Sequence, residues 1–211
     1  MPKTARRGPG RPPAAKSGQT RGRILCAARE VFGEMGYEAA TFQEIAARAD
    51  LTRPAINHYY PSKEALYRHV VAETNGSVIA AGLKEAEAEQ TLAGRVHAFV
   101  RAAVSGREYD ESVAAFMVTS VLECQRHPEL ADDRTDSLQH TREFASGVVR
   151  DGIDNGELRD DLDVDAAAEM LVAALWGLGF YAGFVGGQDR VGAITDEFIR
   201  LLDGDSWKRT G

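Results

Sequence analysis

The segment from Thr41 to Tyr60 leaves this chain few folds to choose from. It opens on Thr41-Phe42-Gln43-Glu44, a capping-box pattern. The threonine hydroxyl accepts the free amide three residues on, and the glutamate reaches back to the first amide. A short helix is predicted over 42–48, then a three-residue turn, then a second short helix over 53–59 that Thr52 caps. Pro54 falls in the first turn of that second helix, where a missing N–H costs nothing. Two short helices that cross closely need a small residue at the crossing, which Ala46 supplies. They also need apolar residues pointing inward, which Ile45, Ala49, Leu51, Ile56 and Tyr59 supply. These spacings fit a helix-turn-helix from about 41 to 60. Upstream, Ile24, Leu25, Ala28, Val31, Phe32 and Met35 form the stripe of an amphipathic helix closed by Gly36, the third helix of the unit.

Charge is divided in a way that matches such a unit. Residues 1–70 carry 12 Lys and Arg against 6 Asp and Glu, whereas residues 71–211 carry 13 against 26, for a formal net charge of -7 overall. A basic head on an acidic body is drawn head first toward a polyanion, which favours nucleic acid over a membrane surface. The first 23 residues hold seven basic groups, no acidic one and four prolines, so residues 1–19 are expected to be a disordered basic tail. The tail has no apolar stretch of the kind a signal peptide needs. Within it, Pro9-Gly10-Arg11-Pro12 resembles the core of an AT-hook, with Pro9 where that motif has Arg. Nonspecific phosphate attraction is the plainer reading of the tail.

The stretches Ile24 to Phe32, Thr41 to Ala49 and above all LTRPAINHYYPSKEALY at 51–67 resemble the DNA-binding domain of TetR-family regulators. The resemblance implies that the second short helix is a recognition helix, that the next helix begins at Pro61-Ser62-Lys63, and that a divergent ligand-binding and dimerisation domain follows. Chemistry adds specific roles. Arg53 carries the fork that matches guanine O6 and N7, and Asn57 can pair bidentately with adenine. Thr52, Pro54, Ala55 and His58 complete the surface that this helix presents. By resemblance, Thr41, Tyr59, Tyr60 and Lys63 hold phosphates. Thr41 as a cap only, Tyr59 as core and Lys63 as a solvated charge are the structural alternatives. Asp50 stands where the family commonly has Gly, and Asn57 and Tyr60 where it commonly has Tyr and Phe, so precedent for position 57 does not transfer.

Beyond Ser62 the pattern predicts helices over about 62–88, 91–106, 111–126, 132–155, 164–185 and 189–203, with no strand pattern or repeat. The expected fold is all-α with about nine helices. A helix-turn-helix domain occupies 20–66, a helical ligand-binding and dimerisation domain 67–205, and a tail 206–211. Met170 to Gly187 runs 18 residues without a charge or polar amide, but it is a single segment rich in Gly and Ala with no flanking basic cluster. It is therefore expected to be a helix buried on all sides, one of them against a second copy of the chain, rather than a membrane span. Leu171, Leu175, Leu178, Gly179, Gly183, Phe198 and Leu202 are the candidate homodimer contacts, the two glycines allowing close backbone approach. The last two helices form the dimer interface in TetR-like proteins, and the resemblance implies the same here. Phe99, Phe116, Met117, Val121 and Phe144 are expected either as core or as the lining of an apolar effector cavity, with His97 and Trp176 as the polar-capable groups beside it.

The signatures of an enzyme are missing: no G-x-S-x-G, no glycine-rich phosphate loop after a strand, no H-E-x-x-H. Asp161, Asp163 and Asp165 imitate the start of a calcium loop, but Ala166 and Val172 stand where its Gly and closing Glu belong. They read better as acids at a helix start. No cofactor or metal is expected. Cys26 and Cys124 have no ligand spacing and read as small buried hydrophobes in a reducing cytosol. The expected function is a cytoplasmic one-component regulator that binds a pseudo-palindromic operator as a dimer and is released, as a repressor, by a small lipophilic ligand.

Overall fold

The computed structural model describes residues 13–105, 111–131 and 136–204. They form nine α-helices and no strand: α1 (Pro13–Ala39), α2 (Phe42–Arg48), α3 (Arg53–Tyr59), α4 (Lys63–Ala86), α5 (Leu92–Ser105), α6 (Glu111–Arg126), α7 (Ser137–Asp154), α8 (Val164–Phe184) and α9 (Gln188–Leu202). A 3₁₀ turn, Pro128–Leu130, lies between α6 and α7. The expected tail segments 1–12, including Pro9 to Pro12, and 206–211 lie outside the described residues. Residues 13–19, expected in the tail, instead belong to α1, which opens on a proline, the residue whose fixed φ suits a first helical turn.

Local chemistry sets most boundaries. Gly36 takes φ 77 and breaks α1 near its end, as only glycine does without strain. Ser62, Asp136 and Asp163 cap α4, α7 and α8, each accepting a backbone amide of its helix's first turn. Asp163 thus acts as a cap, the role expected of an acid at a helix start.

The interior divides into two cores. The first gathers Ile24, Val31 and Phe32 of α1, Ile45 of α2, Ile56 of α3 and Leu66 and Tyr67 of α4. It is completed from far along the chain by Phe116 of α6 and by Leu130, both essentially sealed from solvent. Tyr67 is its hub. The ring meets Phe32 edge-on at 4.9 Å and Phe116 at 5.7 Å, geometries that aromatic quadrupoles favour. The second core joins Ile79 of α4, Val96 and Phe99 of α5, Val148 of α7 and Leu171 of α8. Helix α6 thus serves both cores, Phe116 the first and Met117 the second.

A polar seam ties α1 to α6. His127, just past α6, lies 3.3 Å from the Glu38 carboxylate, and Arg68 of α4 bonds the Glu129 carbonyl in the 3₁₀ turn.

By length and composition α8 could cross a membrane; the single chain covers one side of it and leaves another open. One face packs on its own chain through Leu171, Val172, Leu178 and Ala182, while Met170, Phe180 and Phe184 stay about half exposed or more. Gly183 serves an internal crossing. A Cβ there would lie 2.5 Å from the Ala115 backbone nitrogen, so the glycine lets α6 and α8 touch.

Candidate nucleic-acid interface and sensing cavity

The α2–turn–α3 unit forms as its sequence demands. The Thr41 hydroxyl accepts from the Glu44 amide at 3.3 Å, and the Glu44 carboxylate accepts from the Thr41 amide at 3.0 Å. Asp50 takes φ 50 in the turn, a conformation Asp tolerates better than most residues. Arg23 of α1 clamps this turn by donating to the carbonyls of Ala49 and Asp50. Arg48 makes a two-pronged pair with Glu34 of α1, and that hydrogen bond holds the Glu34 carboxyl below its ordinary pKa. Neither basic residue had been singled out, because each partner lies outside any local motif. These contacts orient α3 against α1.

Thr52 caps α3, its hydroxyl accepting from the Ala55 amide at 3.3 Å. Arg53, Pro54, Asn57 and His58 then stand exposed on one outward face, with Ala55 and Tyr59 half-buried beside them. The His58 and Tyr59 rings meet edge-on at 5.4 Å. A guanidinium fork and a carboxamide one turn apart on a projecting helix are the donor set that reads base edges in a major groove.

Two of the expected phosphate-contacting groups are engaged within the chain itself. Tyr60 is buried, with 5% exposed, and its hydroxyl lies 3.0 Å from Nδ1 of His69 on α4. The extended backbone after α3 turns the ring inward, and burial raises the phenol's pKa. The ammonium of Lys63 donates to the carbonyls of Tyr37, Glu38 and Ala40 at 2.7, 3.0 and 3.2 Å and sits 4.5 Å above the Tyr37 ring. All three of its N–H groups are used at the end of α1, where the helix dipole favours a cation.

Behind this module lies an apolar cavity of about 80 Å³ among α4, α5, α6, α7 and α8. Phe99, Met117 and Trp176 line it, as expected of a sensing pocket, and the buried indole N–H of Trp176 has no hydrogen-bond partner. The other expected lining residues sit elsewhere. Phe144 stacks on Phe99 at 4.4 Å, one layer behind the wall. Phe116 belongs to the first core, Val121 lines a second cavity, and His97 lies 3.8 Å from Asp196 of α9.

The expected dimer residues are likewise redistributed. Leu171 and Leu178 are buried in their own chain, Leu175 and Gly179 border the apolar cavity, Gly183 meets α6, and Leu202 packs on the second core. Of the set, Leu178 and Phe198 line an open groove between α8 and α9, with Ala174, Gly177, Tyr181 and Leu201.

A capped, outward-facing recognition helix on a helical body with an internal cavity defines a helix-turn-helix transcriptional regulator. Residues 24–70 match the family described as bacterial regulatory proteins, tetR family, and residues 87–198 match the tetracyclin repressor-like C-terminal domain; the chain belongs to the TetR family. It is 28% identical over 184 residues to the uncharacterized HTH-type transcriptional regulator YezE of Bacillus subtilis, covering 85% of this chain and 94% of that protein. It is 25% identical over 152 residues to the fatty acid metabolism regulator protein of the same species, covering 72% and 77%. Among solved structures, FadR of B. subtilis in complex with stearoyl-CoA shares the fold at TM-score 0.69 and 22% identity, covering 87% of this chain and 97% of that one. Family membership makes this chain a DNA-binding regulator and not an enzyme.

Proposed function

We propose that this regulator binds a pseudo-palindromic operator as a homodimer and, as a cytoplasmic repressor, releases it when a small apolar ligand enters the cavity behind α4. The observation that carries the reading is the joint presentation of Arg53, Asn57 and His58 on the outward face of a helix whose orientation Arg23, Arg48 and Lys63 hold from behind. Arg53 and Asn57 supply base readout, and the phosphate contacts come from Thr41, Thr52 and the rim of α3. Two copies meet through the exposed face of α8 and the groove that Phe198 lines, covering Met170, Phe180 and Phe184. A symmetric dimer copies its two-fold axis into its operator.

Footprinting on genomic fragments tests this, with paired half-sites as the expected protection. Arg53→Ala should cost about 1–3 kcal/mol and relax base preference at one position in each half-site. Protection of one asymmetric half-site by a monomer, or uniform weakening across all sequences by Arg53→Ala, refutes the reading.

A further inference from the structure

Two cavities lie end to end inside the body, and their walls differ in chemistry. The first, of about 80 Å³, is bounded by residues such as Ile79, Phe99, Met117 and Leu178. The second, of about 200 Å³, is bounded by Val71 and Asn75 of α4, Ser120, Val121 and Cys124 of α6, and Ser137 at the start of α7. Helical register aligns them. Val71, Asn75 and Ile79 follow one another at four-residue steps along α4, as do Val113, Met117 and Val121 along α6, so each helix gives one continuous face to both cavities. On α7, Thr141 of the first cavity follows Ser137 of the second by one turn, and its hydroxyl donates to the Ser137 carbonyl.

The second cavity is polar where a core is expected to be apolar. Asn75, Ser120 and Ser137 are each no more than 3% exposed, so the wall sets amide and hydroxyl side chains beside an interior space. The Ser120 hydroxyl donates to the Met117 carbonyl, which leaves its oxygen as an acceptor. The ionisable groups on this wall are Asp136 and Cys124. Burial first, and then the nearby Asp136 and Glu123 carboxylates, push the thiol up and keep it neutral. Among the described residues lining either cavity there is no Lys or Arg, so none of them gives a carboxylate or phosphate a counter-charge.

We infer that the two cavities form one site for an amphiphile, with an aliphatic tail in the first and an uncharged hydroxyl head in the second. The inference rests on the reading of the body as a sensor and specifies its ligand class. From Val71 to Ile79 the site spans about 12 Å along α4, the reach of a medium-chain alcohol. Met117, which lines the first cavity one turn before Val121 of the second, is flexible enough to let such a chain pass. The head lies at the end nearer the DNA-binding module, where Cys124 already packs on the first core. Its arrival there presses on α4 one turn from Tyr67, which gives the ligand a direct purchase on the helix that carries α3.

The test uses the full chain with Trp207→Phe, so that the remaining Trp176 reports entry into the first cavity by its fluorescence. The compounds are 1-octanol, octane and octanoate. The expected result is binding of 1-octanol about tenfold tighter than octanoate, with Val121→Phe cutting the 1-octanol affinity about tenfold while leaving octane unchanged. Val78→Phe, which fills the first cavity, should abolish binding of all three. Ser120→Ala removes the hydroxyl without filling space and keeps the test decisive if Val121→Phe does not fold; a several-fold loss for 1-octanol alone is expected. Equal binding of octanoate, or 1-octanol affinity indifferent to both second-cavity variants, overturns the two-part site and leaves an apolar sensor. A fluorescence unmoved by any of the three overturns both.

Discussion

The first core and the body behind it solve opposite problems with the same helices. The first core is closed: Tyr67, Phe32 and Phe116 interlock edge to face, and each is essentially without solvent contact. The body is left open, with two cavities inside and an apolar face on α8 outside. A unit that must hold a recognition helix steady needs close packing, whereas a unit that must respond needs alternative arrangements of similar energy. Stability and responsiveness are thus assigned to different ends of one chain.

Adjacent residues on α6 put that contrast to the sharpest test. Phe116 faces the first core and Met117 the apolar cavity. Phe116→Ala should cost about 3–5 kcal/mol, at the level of the largest core truncations. Met117→Ala should cost distinctly less, because a side chain against a void has fewer contacts to lose. Chemical denaturation of the two variants side by side measures the difference, and equal losses would mean that the body is packed as tightly as the module.

Next in size is the α6–α8 crossing. Gly183→Ala drives a methyl group into the Ala115 backbone and should destabilise by about 1–3 kcal/mol, as overpacking does. At Gly177 a Cβ meets nothing within 4 Å in the chain. Gly177→Ala should therefore leave the unfolding of the isolated chain unharmed, yet weaken self-association if the α8–α9 groove is the dimer contact. Unfolding transitions and sedimentation of both variants separate the two effects.

The smallest effect has the opposite sign. The Tyr67 hydroxyl is buried without a hydrogen-bond partner, so Tyr67→Phe should stabilise the protein by about 1 kcal/mol or slightly more. Burial also raises the pKa of this phenol. A group whose folded pKa lies above its unfolded value contributes stability that is complete below the unfolded pKa and is lost as pH rises above it. Wild-type stability should therefore fall from about pH 10 upward as the unfolded-state phenol ionises, and Tyr67→Phe should flatten that fall. Melting temperatures from pH 7 to 11 give the comparison.

What could be read from the amino acids alone was whatever short-range chemistry decides. The capping box, Thr52 and Pro54 placed α2 and α3 within their observed bounds, because each cue acts over three or four residues. Arg53 and Asn57 were legible for the same reason, since residues that must face outward need only a helix and its buried side to be placed. Facing choices between distant elements were not legible. Periodicity marks Phe116 and Met117 alike as apolar, and only the folded chain shows that they serve different interiors. Gly179 and Gly183 announced a close approach without saying whose backbone would arrive. Lys63 and Tyr60 carry groups suited to phosphate, but long-range partners, the end of α1 and His69, claim them first.

Phe116 and Leu130 seat the helix-turn-helix on parts of the chain encoded well downstream of it. Recombination that exchanges only the N-terminal coding segment between two regulators would deliver a module whose last aromatic and aliphatic plugs belong to a stranger. Operator specificity in this protein is therefore heritable as a block only together with the α6 and 3₁₀ residues that close the module from behind. On the base-reading role proposed for Arg53 and Asn57, new pairings of operator and effector would arise more readily by changing these exposed residues of α3 than by shuffling whole domains.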